Sequence, residues 1–182
     1  MDVMKLNECK EKVYTIEDIY ALPDGERAEL IDGQIYYMAP PSLTHQTLLM
    51  SLSKKIANYI DRNKGKCHVI PAPFAVFLNK DDDKTYLEPD IAVVCDPEKL
   101  DEKGCYGAPD WIIEIVSPGN KPMDYFTKLF KYRTSGVREY WIVDPMKRMV
   151  IVYRFEKETM EEYSFEEHVP VGIYDNFSIS VE

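Results

Sequence analysis

Six residues near the middle of the chain, Trp111-Ile112-Ile113-Glu114-Ile115-Val116, set one carboxylate inside an otherwise unbroken apolar run. A run of this kind fits a strand covered on both faces, as in a sheet between layers of helix. A carboxylate there is costly unless it is paired, hydrogen-bonded or bound to a metal ion. Glu114 therefore constrains fold and chemistry together: the strand must be buried, and something must compensate the charge at its middle. A buried salt bridge with Lys or Arg meets that demand, and so does a metal site.

The rest of the chain supplies elements to build around such a strand. Thr15 to Leu22 reads as a short capped helix, with Asp18 at the capping-box spacing from Thr15. Asp32-Gly33 separates the apolar runs Ala28–Ile31 and Gln34–Met38, a hairpin signal. Leu43 to Asn63 is the longest helical pattern, with Leu48, Leu49, Leu52, Ile56, Tyr59 and Ile60 at spacings of three and four. Strands are expected at Cys67–Ile70, Phe74–Leu78, Ile91–Cys95, Glu139–Val143, Met149–Phe155, Glu161–Phe165 and within Gly172–Val181. A helix from Pro122 to Thr134, capped by Gly136, should precede the strand at Glu139. The resulting order predicts an α/β (α+β) fold, a central mixed β-sheet flanked by helices. At 182 residues, 14–182 is expected to form a single domain behind a polar, flexible 1–13.

Charge and cysteine content narrow the class. No run approaches the roughly 18 apolar residues of a membrane span, and Met1–Lys12 lacks the apolar stretch of a signal peptide. The net charge, 22 − 32 = −10, argues against a surface wholly devoted to nucleic acid. Yet Ser53–His68 holds five Lys/Arg against one Asp, a local +4. Lys121–Arg148 holds seven against three acids, again +4. Either segment suits a phosphate backbone, or simply a solvated helix end. Cys9, Cys67, Cys95 and Cys105 form no CxxC pair and no zinc pattern, so free thiols and a cytoplasmic location are expected.

Two further acids sit beside apolar strands. Asp90 opens a strand in Glu88-Pro89-Asp90-Ile91-Ala92-Val93-Val94, and Glu29 lies in Ala28-Glu29-Leu30-Ile31. Carboxylates on neighbouring strands can converge on a hard cation such as Mg²⁺. Alternation on a hairpin allows Glu29 to face solvent equally well, and Asp90 after Pro suits a turn.

Pro89-Asp90 followed by Glu114-Ile115-Val116 resembles the PD-(D/E)XK nuclease core. From Tyr14 to Phe155 the chain more closely resembles the Uma family of restriction-endonuclease-like bacterial proteins. The resemblance rests on Glu29-Leu30-Ile31-Asp32-Gly33, on His45 opening the long helix, and on Pro89-Asp90-Ile91. It continues through Ile113-Glu114-Ile115-Val116-Ser117-Pro118, then Asp124, Lys128 and Tyr132 at four-residue spacing, then Gly136-Val137-Arg138-Glu139-Tyr140-Trp141-Ile142-Val143-Asp144-Pro145. One position departs from the superfamily pattern: Val116 stands where E-X-K has its lysine. In the resembling family a lysine on the following helix takes that place, and Lys128 is the match.

The resemblance implies a restriction-endonuclease-like core and a Mg²⁺-dependent DNA endonuclease, with Mn²⁺ as substitute and no organic cofactor. Asp90, Glu114 and the Ile115 carbonyl are the implied metal ligands, and Lys128 and Glu29 complete the catalytic set. His45, Asp124 and Tyr132 are accessory candidates, His45 as a phosphate contact or as an orienter of Glu29. A homodimer is expected and no membrane partner is. The alternative, favoured by the net charge and the missing E-X-K lysine, is a non-catalytic nuclease-fold homodimer that binds nucleic acid or protein.

Overall fold

The computed structural model describes residues 12–118 and 122–181. Most of the expected flexible N-terminus and part of the Ser117–Asn120 turn lie outside the described residues. Among the described residues there are three α-helices: α1 (Ile16–Tyr20), α2 (Leu43–Arg62) and α3 (Leu129–Ser135), the last entered through a π-helical turn at Met123–Lys128. A six-stranded sheet carries the fold. Its strands are β3 (His68–Pro71), β5 (Ile91–Val94), β7 (Trp111–Ile115), β8 (Glu139–Asp144), β9 (Met149–Arg154) and β10 (Thr159–Ser164), in the order β10-β9-β8-β7-β5-β3. Three two-stranded pairs flank it: β1 (Ala28–Ile31) with β2 (Gln34–Tyr37), β4 (Val76–Phe77) with β6 (Cys105–Tyr106), and β11 (Val169–Pro170) with β12 (Ser178–Ile179).

The sheet is mixed, as expected. Only β7 and β8 run parallel within it, and a parallel pair needs a crossover connection, which the π turn and α3 supply. Alternation assigns the two faces. Ile113 and Ile115 join Leu49, Leu52, Ile56 and Ile60 of α2 in one core. Ile112, Tyr140 and Ile142 join Tyr132 of α3 in another. Leu52 and Ile56 are fully buried, each contributing roughly 1.5–3 kcal/mol of apolar burial. Trp111 and Trp141 are fully buried edge-to-face partners with ring centroids 4.8 Å apart.

Local signals formed where they were read. Asp18 accepts from the Thr15 N–H at 2.9 Å, closing the α1 capping box. Ser42 Oγ accepts from the His45 N–H at 3.2 Å at the start of α2. Asp32 and Gly33 both have positive φ, 50° and 78°, the paired left-handed geometry of a tight hairpin. A Cβ on Gly33 would come within 2.5 Å of Val13 Cγ1. Gly33→Ala should therefore cost about 1–2 kcal/mol, measured by urea unfolding.

The cysteine expectation is overturned. Cys67 and Cys95 form a disulfide. The antiparallel register of β3 and β5 pairs His68 with Val94, and one step further places the two cysteines opposite each other. Cys105 is free and buried. The argument for a reducing compartment from four free thiols therefore falls away. No helix among the described residues is long and apolar enough to cross a membrane.

Candidate active site

Alternation along β7 turns Glu114 toward the face covered by α3, the same face as Ile112. The residue is 4 % exposed, so its charge must be met from within the protein. Lys128, the last residue of the π turn, meets it: Nζ lies 2.9 Å from Glu114 Oε1. The same nitrogen lies 2.9 Å from Glu29 Oε2 and 3.7 Å from Asp124 Oδ1. Tyr132, one turn further along α3, donates its hydroxyl to Glu114 Oε1 at 2.8 Å. π-helical turns are rare and recur at functional sites, and this one presents Asp124 and Lys128 to the sheet.

Asp90 lies one residue before β5. Ile91 pairs with Ile113, and the same register carried one step sets Asp90 opposite Glu114. Its two oxygens are engaged separately. Oδ2 accepts from the Ile115 N–H at 2.7 Å, and Oδ1 lies 3.0 Å from His45 Nε2. The side chains of Asp90 and His45 are 15 % and 14 % exposed, against about 5 % for Glu29, Glu114, Asp124 and Lys128. The cluster is thus most open at the Asp90–His45 end.

Every candidate side chain is drawn into this one cluster, with two differences from expectation. His45 reaches Asp90, and among the described residues no hydrogen bond or ion pair joins it to Glu29. The helix α2 covers the opposite sheet face, so its first turn meets the sheet where β5 begins. Glu29 faces the interior, because β1 is covered on both sides. Its Oε1 accepts from the Glu88 N–H at 2.9 Å. Glu88 is itself held by the Tyr86 hydroxyl at 2.7 Å and by Arg27 Nε at 3.0 Å. Ile115 contributes a backbone N–H to Asp90, a contact made beside the carbonyl that the ligand set requires.

Tyr140 and Glu88 belong to the site and were not singled out in the sequence. Tyr140 donates its hydroxyl to the Asp124 carbonyl at 2.9 Å, and its ring meets Tyr132 edge-on at 5.0 Å. The available signal was periodicity: Tyr140 is paired with Ile112, two residues before Glu114 on the same face.

Four carboxylates share this cluster with one lysine and one histidine, and the protonation equilibria reflect it. Burial pushes the Glu114 carboxyl well above the ordinary range; Lys128 opposes, and Asp124, Asp90 and Glu29 add to the rise. Burial likewise raises Asp124 to about 6 against the pull of Lys128. For Lys128, burial disfavours the charge, but Glu114, Glu29 and Asp124 outweigh it and hold the amine protonated. Burial also works against a charged His45, and the Asp90 hydrogen bond and charge outweigh it, so its pKa is raised. Burial keeps Tyr132 a neutral hydroxyl donor.

A carboxyl whose pKa is higher folded than unfolded binds its proton more tightly in the folded state. Its contribution is present in full below the unfolded value and is lost as pH rises through the folded value. For Asp124 that window runs from about 4 to about 6, and the Glu114 rise acts in the same direction. The metal-free protein should therefore lose up to about 3 kcal/mol of stability between pH 4.5 and 7. Urea unfolding across that range checks it, and flat stability would contradict the carboxylate crowding described here.

The donor set suits a hard divalent cation. Among the described residues no hydrogen bond reaches Glu114 Oε2, which leaves that oxygen available. Asp90 Oδ1 has a second lone pair beyond the one facing His45. No three His, Cys, Asp or Glu side chains among the described residues close on a metal ion. Two carboxylates, a backbone carbonyl and water form a set that Mg²⁺ accepts, since it binds through one or two carboxylates and keeps several waters.

Comparison with known proteins follows the same line. The fold is similar to a crystal structure described as a "putative nuclease belonging to DUF820" from Anabaena variabilis, with a TM-score of 0.72 and 22 % identity, over 92 % of this chain and 94 % of that one. At that identity the likeness is one of fold. The chain is 28 % identical over 129 residues to "Uncharacterized protein slr1290" of Synechocystis, a match covering 70 % of this chain and 66 % of that protein. It thus spans just under two thirds of that relative's length. Residues 16–182 match the model of Uma2, a family described as "Putative restriction endonuclease". With nearly the whole chain inside that match, and with its fold shared by a nuclease-like structure, this protein belongs to the Uma2 family.

Proposed function

We propose that this chain is a Mg²⁺-dependent DNA endonuclease that hydrolyses phosphodiester bonds, with Mn²⁺ as substitute. One observation carries the reading: a carboxylate in a buried central strand lies 2.9 Å from a lysine of the next helix, with Asp90 across the strand pair. Lys128 thereby supplies the cation that Val116 cannot. Asp90 and Glu114 would hold the metal, with the Ile115 carbonyl as a third ligand. Bound there, Mg²⁺ would polarise the scissile phosphate and lower the pKa of the attacking water.

The chain's own residues do the rest. Lys128, held protonated, stabilises the hydroxide and the charge growing on the phosphorus oxygens. Glu29 and Asp124 keep its ammonium in place. Tyr132 fixes the rotamer of Glu114 through Oε1, and His45 with the Ile115 N–H fixes Asp90. Cutting both strands of a duplex requires two such sites, which a homodimer supplies. The competing reading, a non-catalytic nuclease-fold homodimer, draws on the fact that Lys128 already satisfies one oxygen of both Glu29 and Glu114.

Titration calorimetry separates the two readings. The wild type should bind Mg²⁺ and Mn²⁺ at millimolar or lower concentration, and Asp90→Asn and Glu114→Gln should each weaken binding by at least tenfold. Absence of binding at millimolar metal would make the acids structural and leave the binding-module reading.

A further inference from the structure

Helix α2 carries a second feature that the hydrolytic site does not use. Its inner face packs on the sheet, and its first turn brings His45 to Asp90. Its outer face is mainly polar, with Thr47, Ser51, Lys55, Asn58 and Arg62 recurring at spacings of three and four and Met50 exposed among them. Two adjoining grooves lie on that face. One is lined by Gln46, Thr47, Met50, Ser51 and Lys54. The other, of about 300 Å³, is bounded by Lys55, Asn58, Tyr59 and Arg62 and by His168 and Ser178–Ser180 of the C-terminal hairpin. Lys64 and Lys66 continue the series past the helix end, and both are exposed.

The charges on this face are segregated from the acids. The protein carries −10 overall, yet Ser53–His68 carries five cations and one Asp. Arg27, Lys128, Lys131, Arg138, Arg148 and Arg154 are each paired with a carboxylate. Lys54, Arg62, Lys64 and Lys66 have no carboxylate partner among the described residues; Lys80, Lys84, Lys103 and Lys157 have none either, but those four stand in acidic segments, whereas Ser53–His68 is net basic. A run of unpaired cations in an acidic protein calls for an anionic occupant that follows a line. From His45 to Arg62 the helix spans about 26 Å at 1.5 Å per residue, which is about seven base pairs of duplex at 3.4 Å each.

We propose that the outer face of α2 is a nucleic-acid track: it holds a DNA phosphate backbone through Lys54, Arg62, Lys64 and Lys66 and leads it to the Asp90–His45 opening of the site. This proposal rests on the nuclease reading for its substrate and extends it to how the substrate is held. Gln46, Ser51 and Asn58 supply neutral donors beside the cations, and no contact with base edges is required, so binding is indifferent to sequence.

The test is fluorescence anisotropy of a labelled 20-base-pair duplex with the full chain, without divalent metal so that no cleavage occurs, over a series of salt concentrations. One variant neutralises the track (Lys54→Gln, Arg62→Gln, Lys64→Gln, Lys66→Gln). A second removes four exposed lysines elsewhere (Lys80→Gln, Lys84→Gln, Lys103→Gln, Lys157→Gln) and so makes the same change in net charge. The track variant should lose about 10- to 100-fold in affinity, with a log–log salt slope shallower by about 3, and the control should change less than threefold. Equal losses in the two variants, or no binding by the wild type at low salt, would overturn the track. Plasmid nicking in Mg²⁺ keeps the two proposals apart. Nicking with equal affinities leaves the nuclease and removes the track. Track-dependent binding without nicking by the wild type leaves the track and removes the nuclease.

Discussion

Lys128→Met should unfold the protein more readily at neutral pH and sharply reduce hydrolysis with the same change. Among the described residues the ammonium is the one lysine charge against Glu29, Glu114 and Asp124, all about 5 % exposed. Removing one partner of a buried ion cluster costs about 3–5 kcal/mol, because the remaining charges are left uncompensated. Met fills nearly the same volume, so little of the loss comes from a cavity. The loss should shrink at pH 5, where Asp124, with its pKa near 6, is protonated. It should also shrink in millimolar Mg²⁺ if the carboxylates accept the ion in place of the ammonium. Hydrolysis should fall by about 10²–10³ even where the variant is folded, the scale for removing one group that stabilises transition-state charge. Urea unfolding at pH 5 and 7.5, with nicking assays at a temperature where both proteins are folded, measures the two effects. Unchanged stability at pH 7.5 would mean that the cluster is already neutral.

Glu114→Gln should do the reverse and leave the fold intact while removing activity. The glutamine carbonyl can accept both bonds that Oε1 now takes, from Lys128 and from Tyr132. One buried negative charge among four disappears, which relieves Asp124 and Asp90. The melting temperature should stay within a few degrees of wild type, while metal affinity falls at least tenfold and nicking at least about a thousandfold. Asp90→Asn is tolerated for a different reason. Its oxygen can keep the Ile115 N–H, and its amide can donate to His45 Nε2 once the histidine proton moves to Nδ1. That nitrogen is buried with no partner among the described residues, so the ring is free to change tautomer.

How much of this was legible depended on how local each signal was. Glu114 announced itself, because one carboxylate in a strand of Trp, Ile and Val has few explanations. The Asp32-Gly33 turn, the Thr15–Asp18 box and the Gly136 cap are contacts within four residues and formed as read. Asp124, Lys128 and Tyr132 share one side of their helix, although the π-helical turn carrying the first two was not visible in the residues. Long-range register was the part that stayed hidden. The Cys67–Cys95 bond, the Asp90–Glu114 opposition and the parallel β4–β6 pair all follow from which strands neighbour each other. The burial of Glu29 depends on layers packing over both sides of β1, which a four-residue pattern does not record. His45 was expected as a phosphate contact or as an orienter of Glu29; its partner in the structure is Asp90, where the first turn of α2 meets the start of β5.

The most direct measurement is nicking of supercoiled plasmid by the purified chain, with Mg²⁺, with Mn²⁺ and with chelator, beside Glu114→Gln at equal concentration. The account predicts conversion to open-circular and linear DNA by the wild type in either metal, none with chelator, and none by Glu114→Gln despite a wild-type melting curve. Intact plasmid under every wild-type condition, or equal nicking by wild type and Glu114→Gln, would contradict it.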